Sequence, residues 1–212
     1  MPSSAADDLV VACVAAGVTD ERVLEAVGTI PRADFVPAGE RGRAYDDVPL
    51  PIAHGQVTTQ PSLVARMLAA LAPAPRDAAL EVGTGYGWQT ALLARLAGRV
   101  WSVERFPDLA AAARTALLDA GVANAVVVVG DGSLGLPAHA PFDAVLVAAA
   151  FPRVPPPLAE QLAEGGRLVQ PLGHGGSEEV VLFEKRRGRL ERRAFVGGAS
   201  FVRLYGEHGF AE

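Results

Sequence analysis

The sequence predicts an α/β protein built on a doubly wound, mostly parallel sheet with helices on both faces. Three observations carry this expectation. From residue 78 onward, short apolar runs alternate with helical stretches. Glycine stops each helical stretch, at Gly98, at Gly121 and at the pair Gly165-Gly166. Beyond Gly173 helical patterning gives way to strand and turn, as expected of an antiparallel C-terminal region. Repeated strand–helix–strand units bring successive strands into parallel pairing.

The elements follow in order. Leu9 to Val18 reads as a buried amphipathic helix closed by Gly17. Thr19 is a candidate N-cap for the next helix, with Asp20 and Glu21 in its first turn, where the helix dipole favours acids. Gly28 and Pro31 close it. From Pro31 to Pro61 proline, glycine and polar residues recur without period, and a loop of that length is usually functional. Pro61 suits the first turn of a helix running to about Leu71. Strands are expected at Ala78–Val82, Val100–Val103, Val126–Val129, Ala144–Ala148 and Arg167–Pro171. Helices are expected from the glycine cluster to Ala97, from about Pro107 to Ala120 and from about Pro157 to Ala163. Glu179–Glu184 and Leu190–Phe195 flank a turn at Arg187-Gly188-Arg189, and Ala199–Tyr205 is a candidate for one more strand.

Composition bounds the function. The chain has 212 residues, half of them hydrophobic, which excludes disorder and fits one domain with a sizeable core. Its net charge of −5 disfavours a sequence-independent grip on nucleic acid. One cysteine, Cys13, excludes an intramolecular disulfide and a multi-cysteine zinc site, and His139, His174 and His208 show no ligand spacing, so no metal is assigned. The stretch Leu9 to Val18 is too short to span a bilayer, and Asp7 and Asp8 stand where a signal peptide needs positive charge. A cytoplasmic protein with no membrane partner is expected. Arginine outnumbers lysine 18 to 1, with two isoleucines and one asparagine, as a GC-rich and bacterial genome would produce. The basic run Lys185 to Arg193 reads first as a solvated hairpin.

The first sheet strand delivers Glu81-Val82-Gly83-Thr84-Gly85-Tyr86-Gly87 to the carboxyl edge, where open α/β sheets bind ligands. A dinucleotide fingerprint needs glycine at the position of Trp88, so a pyrophosphate cradle is disfavoured. Acid-x-Gly-x-Gly-x-Gly resembles instead the first motif of S-adenosylmethionine-dependent methyltransferases. Glu104, directly after the second strand, can accept hydrogen bonds from two ribose hydroxyls. Asp131, in Gly130-Asp131-Gly132 after the third, is placed to meet an adenine edge. After the fourth strand Val147-Ala148-Ala149-Ala150-Phe151 lacks the polar motif of base-amino methyltransferases. No carboxylate cluster fits a metal-dependent catechol-type enzyme.

Several further stretches carry a specific resemblance. Val36-Pro37, Ala44 to Ile52, Gly55-Gln56-Val57-Thr58-Thr59-Gln60-Pro61, Leu80 to Gln89 and Ser102-Val103-Glu104-Arg105 closely resemble the protein-L-isoaspartate O-methyltransferase family. So do Gly130-Asp131-Gly132, Ala140 to Ala144 and Gly165 to Val169. The resemblance runs from about residue 20 to 205. It implies a seven-stranded Rossmann-like methyltransferase sheet and methyl transfer from S-adenosylmethionine to the free carboxylate of an isoaspartyl residue, whose ester then collapses to a succinimide. The product cofactor would be S-adenosylhomocysteine. It places Gln56, Val57, Thr58, Glu81, Gly83, Thr84, Gly85, Gln89, Glu104, Arg105, Gly130, Asp131 and Gly132 on the cofactor side. The family's active-site serine falls on Thr59, which would orient the substrate carboxylate. His54, Arg203 and Tyr205 are candidates for substrate contact.

The residues agree with that chemistry. A carboxylate is already ionised at neutral pH, so no general base is required, and the loop 44–60 is the natural wall and lid. Alternatives attach to particular residues: Thr59 could merely cap the helix at Pro61, His54 could make a structural hydrogen bond, and Arg203, where the family has proline, could be a solvated edge charge. Thr59 and Arg203 also admit a carboxyl methyltransferase acting on ordinary aspartate in a specific peptide, and a cofactor-binding adaptor is a third reading. The chain is expected to form one domain and a monomer, with residues 1–77 as helices and lid, 78–173 as cofactor-binding core and 174–212 as C-terminal strands.

Overall fold

A computed structural model describes residues 5–211. Seven strands form one sheet in the order β3-β2-β1-β4-β5-β6-β7. They are β1 Ala78–Val82, β2 Arg99–Glu104, β3 Ala125–Val129, β4 Phe142–Val147, β5 Leu162–Leu172, β6 Glu178–Arg186 and β7 Arg189–Ala199. The first five pair in parallel, and β6 and β7 join antiparallel. The chain winds outward from β1 to β3 and then returns to the other side of β1 at β4. A crevice therefore opens between the carboxyl ends of β1 and β4, the switch point where such sheets bind ligands.

Side chains alternate across β1 and β4, so each strand serves two cores. Ala79, Ala144 and Leu146 face the larger core with Met67, Leu68, Leu92 and Leu93. Leu80, Val82, Val145 and Val147 face the smaller one with Phe142, Leu158 and Leu168. Helices α1 (Ala5–Ala15), α2 (Glu21–Thr29), α3 (Pro61–Leu71), α4 (Trp88–Leu96) and α5 (Pro107–Asp119) all contribute to the larger core, Cys13 among their residues. The opposite face is more thinly covered, by α6 (Pro156–Gln161), loops and C-terminal residues. No described helix is long and apolar enough to cross a membrane.

Four local expectations are corrected. The N-cap of α2 is Asp20, not Thr19; its carboxylate accepts from the N–H groups of Arg22 at 2.9 Å and Val23 at 3.3 Å. Gly165-Gly166 does not end a helix but lies inside β5, which begins at Leu162. There the register with β4 slips between Phe142 and Ala144, and Gly165 takes φ +78°. A Cβ on Gly166 would stand 2.9 Å from the Ala163 carbonyl oxygen, so this bulge needs glycine. The turn between β6 and β7 is the two-residue Arg187-Gly188, both at positive φ, as a tightly twisted hairpin demands. Finally, Ala199–Tyr205 is not an eighth strand. β7 ends at Ala199, and the following segment makes isolated bridges, Ala150 with Arg203 and Tyr205 with Phe210. Ala150 N donates to Val202 O at 2.7 Å and Ala150 O accepts from Leu204 N at 2.8 Å, which lays the segment parallel to the chain just beyond β4.

Candidate active site

The crevice is a cleft at the carboxyl ends of the strands, where open α/β sheets take small ligands. Its walls come from the ends of β1, β2 and β4, from Gly132 beyond β3, from loop 52–59 and from residues 202–205. Gly83, Gly85 and Gly87 all adopt positive φ, letting the backbone turn from β1 into α4 at the cleft floor. A Cβ on Gly132 would stand 2.3 Å from Val82 Cγ1, so that wall closes only around glycine. Ala148 supplies the thin opposite wall, with its Cβ 3.4 Å from where a Gly83 Cβ would be.

Glu104 is almost fully buried and lines this cleft. Its carboxylate is held on both sides by backbone, Oε2 accepting from Gly85 N at 2.9 Å and Oε1 from Phe106 N at 3.1 Å. Each oxygen keeps a further lone pair for ligand hydroxyls. Gln89 lines the cleft too. Its Nε2 donates to Glu81 at 2.9 Å, while its buried Oε1 has no partner among the described residues and can accept from a ligand. Gln56, Val57, Thr58, Thr84 and Arg105 also face the cleft, as do Thr59, Arg203 and Tyr205.

The loop hydroxyls divide their work. Thr58 Oγ1 accepts from Arg32 at 2.9 Å and from Leu50 N at 3.0 Å, so it is committed to structure. The neighbouring Thr59 hydroxyl has no hydrogen-bond partner among the described residues and stands on the cleft wall. Nor is Thr59 the cap of α3. Asp47 does that from across the loop, its carboxylate accepting from Ser62 N at 2.8 Å and from Gln60 Nε2 at 2.9 Å.

Four sequence-predicted residues do not line the cleft. Glu81 points beneath the glycine loop, fully buried, accepting from Gln89, Thr90 and Ser102. Gly130 is tied back to β2 through its N–H to Glu104 O. Asp131 turns away: Oδ1 caps Ser133, and Oδ2 accepts from Glu207 N at 2.8 Å. Partial burial raises the Asp131 carboxyl, but the N–H of Glu207 and the two Ser133 donors bring it below its ordinary range. His54 lies flat on Phe106, with ring centroids 4.1 Å apart, and its Nε2 meets Asp108 at 2.8 Å. It thereby latches the loop to the start of α5. Arg32 was not visible as a site residue in the sequence, yet it is buried in the cleft wall. No motif marks it; the only signal is an arginine just ahead of the apolar Phe35-Val36.

Charge resolves a tension in an acidic protein. The charged residues lining the cleft are Arg32, Arg105 and Arg203 against Glu104 alone, a local positive balance. Among the described residues no cluster of three or more His, Cys, Asp or Glu could hold a metal ion.

Burial pushes the Glu81 carboxyl up from 4.5 to about 7, against the hydrogen bonds from Ser102, Thr90 and Gln89 that pull it down. The folded protein therefore binds this proton more tightly than the unfolded chain. The stability it contributes is complete below 4.5 and is lost as pH rises to about 7. Glu81→Gln is expected to flatten that part of the profile. Thermal unfolding followed across this interval should show the wild type losing stability relative to the variant, and parallel profiles would contradict the assignment.

A doubly wound parallel sheet extended by the antiparallel pair β6 and β7, a glycine turn after β1 and a buried acid at the end of β2 define an S-adenosylmethionine-dependent methyltransferase. Comparison with known proteins narrows the class. The family model for protein-L-isoaspartate(D-aspartate) O-methyltransferase (PCMT) matches residues 4–208. A protein-L-isoaspartate O-methyltransferase of Methanoculleus marisnigri is 50% identical over 92% of this chain and 89% of its own. One from Anaeromyxobacter dehalogenans is 56% identical over 78% of this chain and 79% of its own. A solved protein-L-isoaspartate O-methyltransferase superposes at TM-score 0.84, with 26% identity, over 96% of this chain and 67% of that one. The chain belongs to the protein-L-isoaspartate O-methyltransferase family.

Proposed function

We propose that the protein methylates the free carboxylate of L-isoaspartyl residues in damaged proteins or peptides, so that collapse of the ester to a succinimide returns part of the chain to normal aspartate. The observation that carries this reading is the uncommitted Thr59 hydroxyl on a cleft wall with a positive balance of charge. A hydroxyl donor beside cationic groups suits an anionic acceptor that is already ionised and needs no base.

S-adenosylmethionine, when bound, supplies an electrophilic methyl group on a positively charged sulfur. Glu104, the Gly83-Thr84-Gly85 turn, Gln56, Val57, Gln89, Arg105 and Gly132 are the residues that would hold it. Glu81, Gly130, Asp131 and Thr58 serve the same site from behind, by fixing the wall. Thr59 would orient the acceptor carboxylate, with Arg203 and Tyr205 as further substrate contacts. His54 acts through the loop it latches. Loop 52–59 and residues 202–205 wall the cleft, so the rate comes from positioning of the acceptor against the methyl group.

Arg203 supports a second reading, an aspartyl methyltransferase acting on a specific peptide. It lines the cleft, and Nε donates to His174 O at 2.8 Å, which holds the guanidinium over Phe210. We read the chain as one functional unit, a cytoplasmic monomer of bacterial origin. Incubation of an isoaspartyl peptide with S-adenosylmethionine tests the main reading. Chromatography that separates the two isomers, coupled to mass spectrometry, should find the methyl ester, then the succinimide, then the aspartyl peptide; formation of neither ester nor succinimide would refute it.

A further inference from the structure

Arg32 is fully buried. A buried guanidinium ordinarily meets a carboxylate, but this one donates to neutral oxygens. Nη1 reaches the carbonyls of Ala44 and Asp46, both at 3.0 Å, and Nη2 reaches the Val48 carbonyl at 3.1 Å and Thr58 Oγ1 at 2.9 Å. The nearby carboxylates are engaged elsewhere, Asp47 by Ser62 N and Gln60, Asp46 by Arg43. Among the described residues no carboxylate touches the Arg32 guanidinium, although Asp46 and Asp47 lie close enough to act on its charge.

Its acceptors lie on both arms of the loop. Residues 44, 46 and 48 form one arm, and Thr58 lies on the other, next to Thr59. Thr58 N closes the same ring by donating to Leu50 O at 2.8 Å. The guanidinium also lies 5.5 Å from the ring centre of Trp88, the first residue of α4. One side chain therefore joins the lid to the helix that follows the glycine turn.

We propose that Arg32 is a positioning residue for methyl transfer: it clamps the two arms of loop 44–58 together and supplies the fixed positive charge that holds a carboxylate acceptor at Thr59. The charge half of this inference rests on the carboxylate acceptor proposed above; the clamp half does not.

Two variants of the full-length protein test it. Arg32→Met removes charge and donors at similar length, whereas Arg32→Lys keeps the charge but loses the planar fork. Two readouts separate the halves. Hydrogen exchange follows the amides of residues 44–60 and 83–87. Calorimetry with S-adenosylhomocysteine present compares an isoaspartyl peptide with its counterpart amidated at the acceptor carboxylate. In Arg32→Met, exchange over 44–60 should quicken at least about tenfold while 83–87 is unchanged. The wild type should prefer the carboxylate peptide by about tenfold or more, Arg32→Met should lose that preference and Arg32→Lys should keep part of it. Unchanged exchange over 44–60, or an undiminished preference in Arg32→Met, overturns the proposal. Should Arg32→Met not fold, Arg32→Lys decides: faster exchange with a reduced preference supports the role, and wild-type values in both overturn it. A wild type with no preference would sink the carboxylate reading and the charge half together, leaving the exchange data to judge the clamp.

Discussion

Glu104→Ala is expected to weaken S-adenosylhomocysteine binding by about 100-fold or more, measured calorimetrically on folded protein. The size follows from what the carboxylate holds. Its loss strands the N–H groups of Gly85 and Phe106, which it now binds at 2.9 and 3.1 Å. Leaving a buried donor unsatisfied costs about 1–3 kcal/mol, and the glycine turn loses the contact that sets its shape. The ligand hydroxyls lose their acceptor as well. Glu104→Gln should fall between, because an amide keeps one oxygen acceptor but sets an NH2 against backbone donors. Binding within about threefold of wild type in Glu104→Ala would mean that the acid at the end of β2 is only a loop brace.

The second large effect is expected at Thr59. Thr59→Val should lower kcat by about 10- to 100-fold, the worth of a hydrogen bond to a charged group, with cofactor affinity changed less than about threefold. Thr59→Ser should stay within about threefold of wild type, because it keeps the hydroxyl and loses only the methyl that stiffens χ1. The contrast depends on the Thr59 hydroxyl having no structural task, unlike that of Thr58, which accepts from Arg32 and Leu50. Loss of cofactor binding in Thr59→Val would instead place Thr59 among the residues that shape the wall.

The parallel core was legible because its signals are local. Apolar runs of strand length, glycine stops and the acids Glu81, Glu104 and Asp131 at or just beyond the ends of β1, β2 and β3 all sit within a few residues of the features they mark. Illegible parts depended on partners far along the chain. Gly165-Gly166 reads as a helix stop, and only its pairing with β4 makes it a bulge. Thr59 stands where a cap for α3 would be expected, but the cap comes from Asp47, fifteen residues from Ser62. Asp131 holds the right place in sequence for a ligand contact, yet Glu207, 76 residues away, takes its carboxylate. His54 is similarly drawn to Asp108. Arg32 carries no motif at all, because its partners, from Ala44 to Thr58, form a ring only once the loop has folded around it. The ligand-facing glycines and Glu104 were legible for the opposite reason: backbone turns and strand-end acids are set by short-range geometry.

The most direct test of the account is methyl transfer from labelled S-adenosylmethionine to two peptides that differ only in whether one residue is isoaspartyl or aspartyl. The account predicts a kcat/KM for the isoaspartyl peptide well above that for its aspartyl twin. A preference for the aspartyl peptide would contradict the repair reading while leaving fold and cofactor intact.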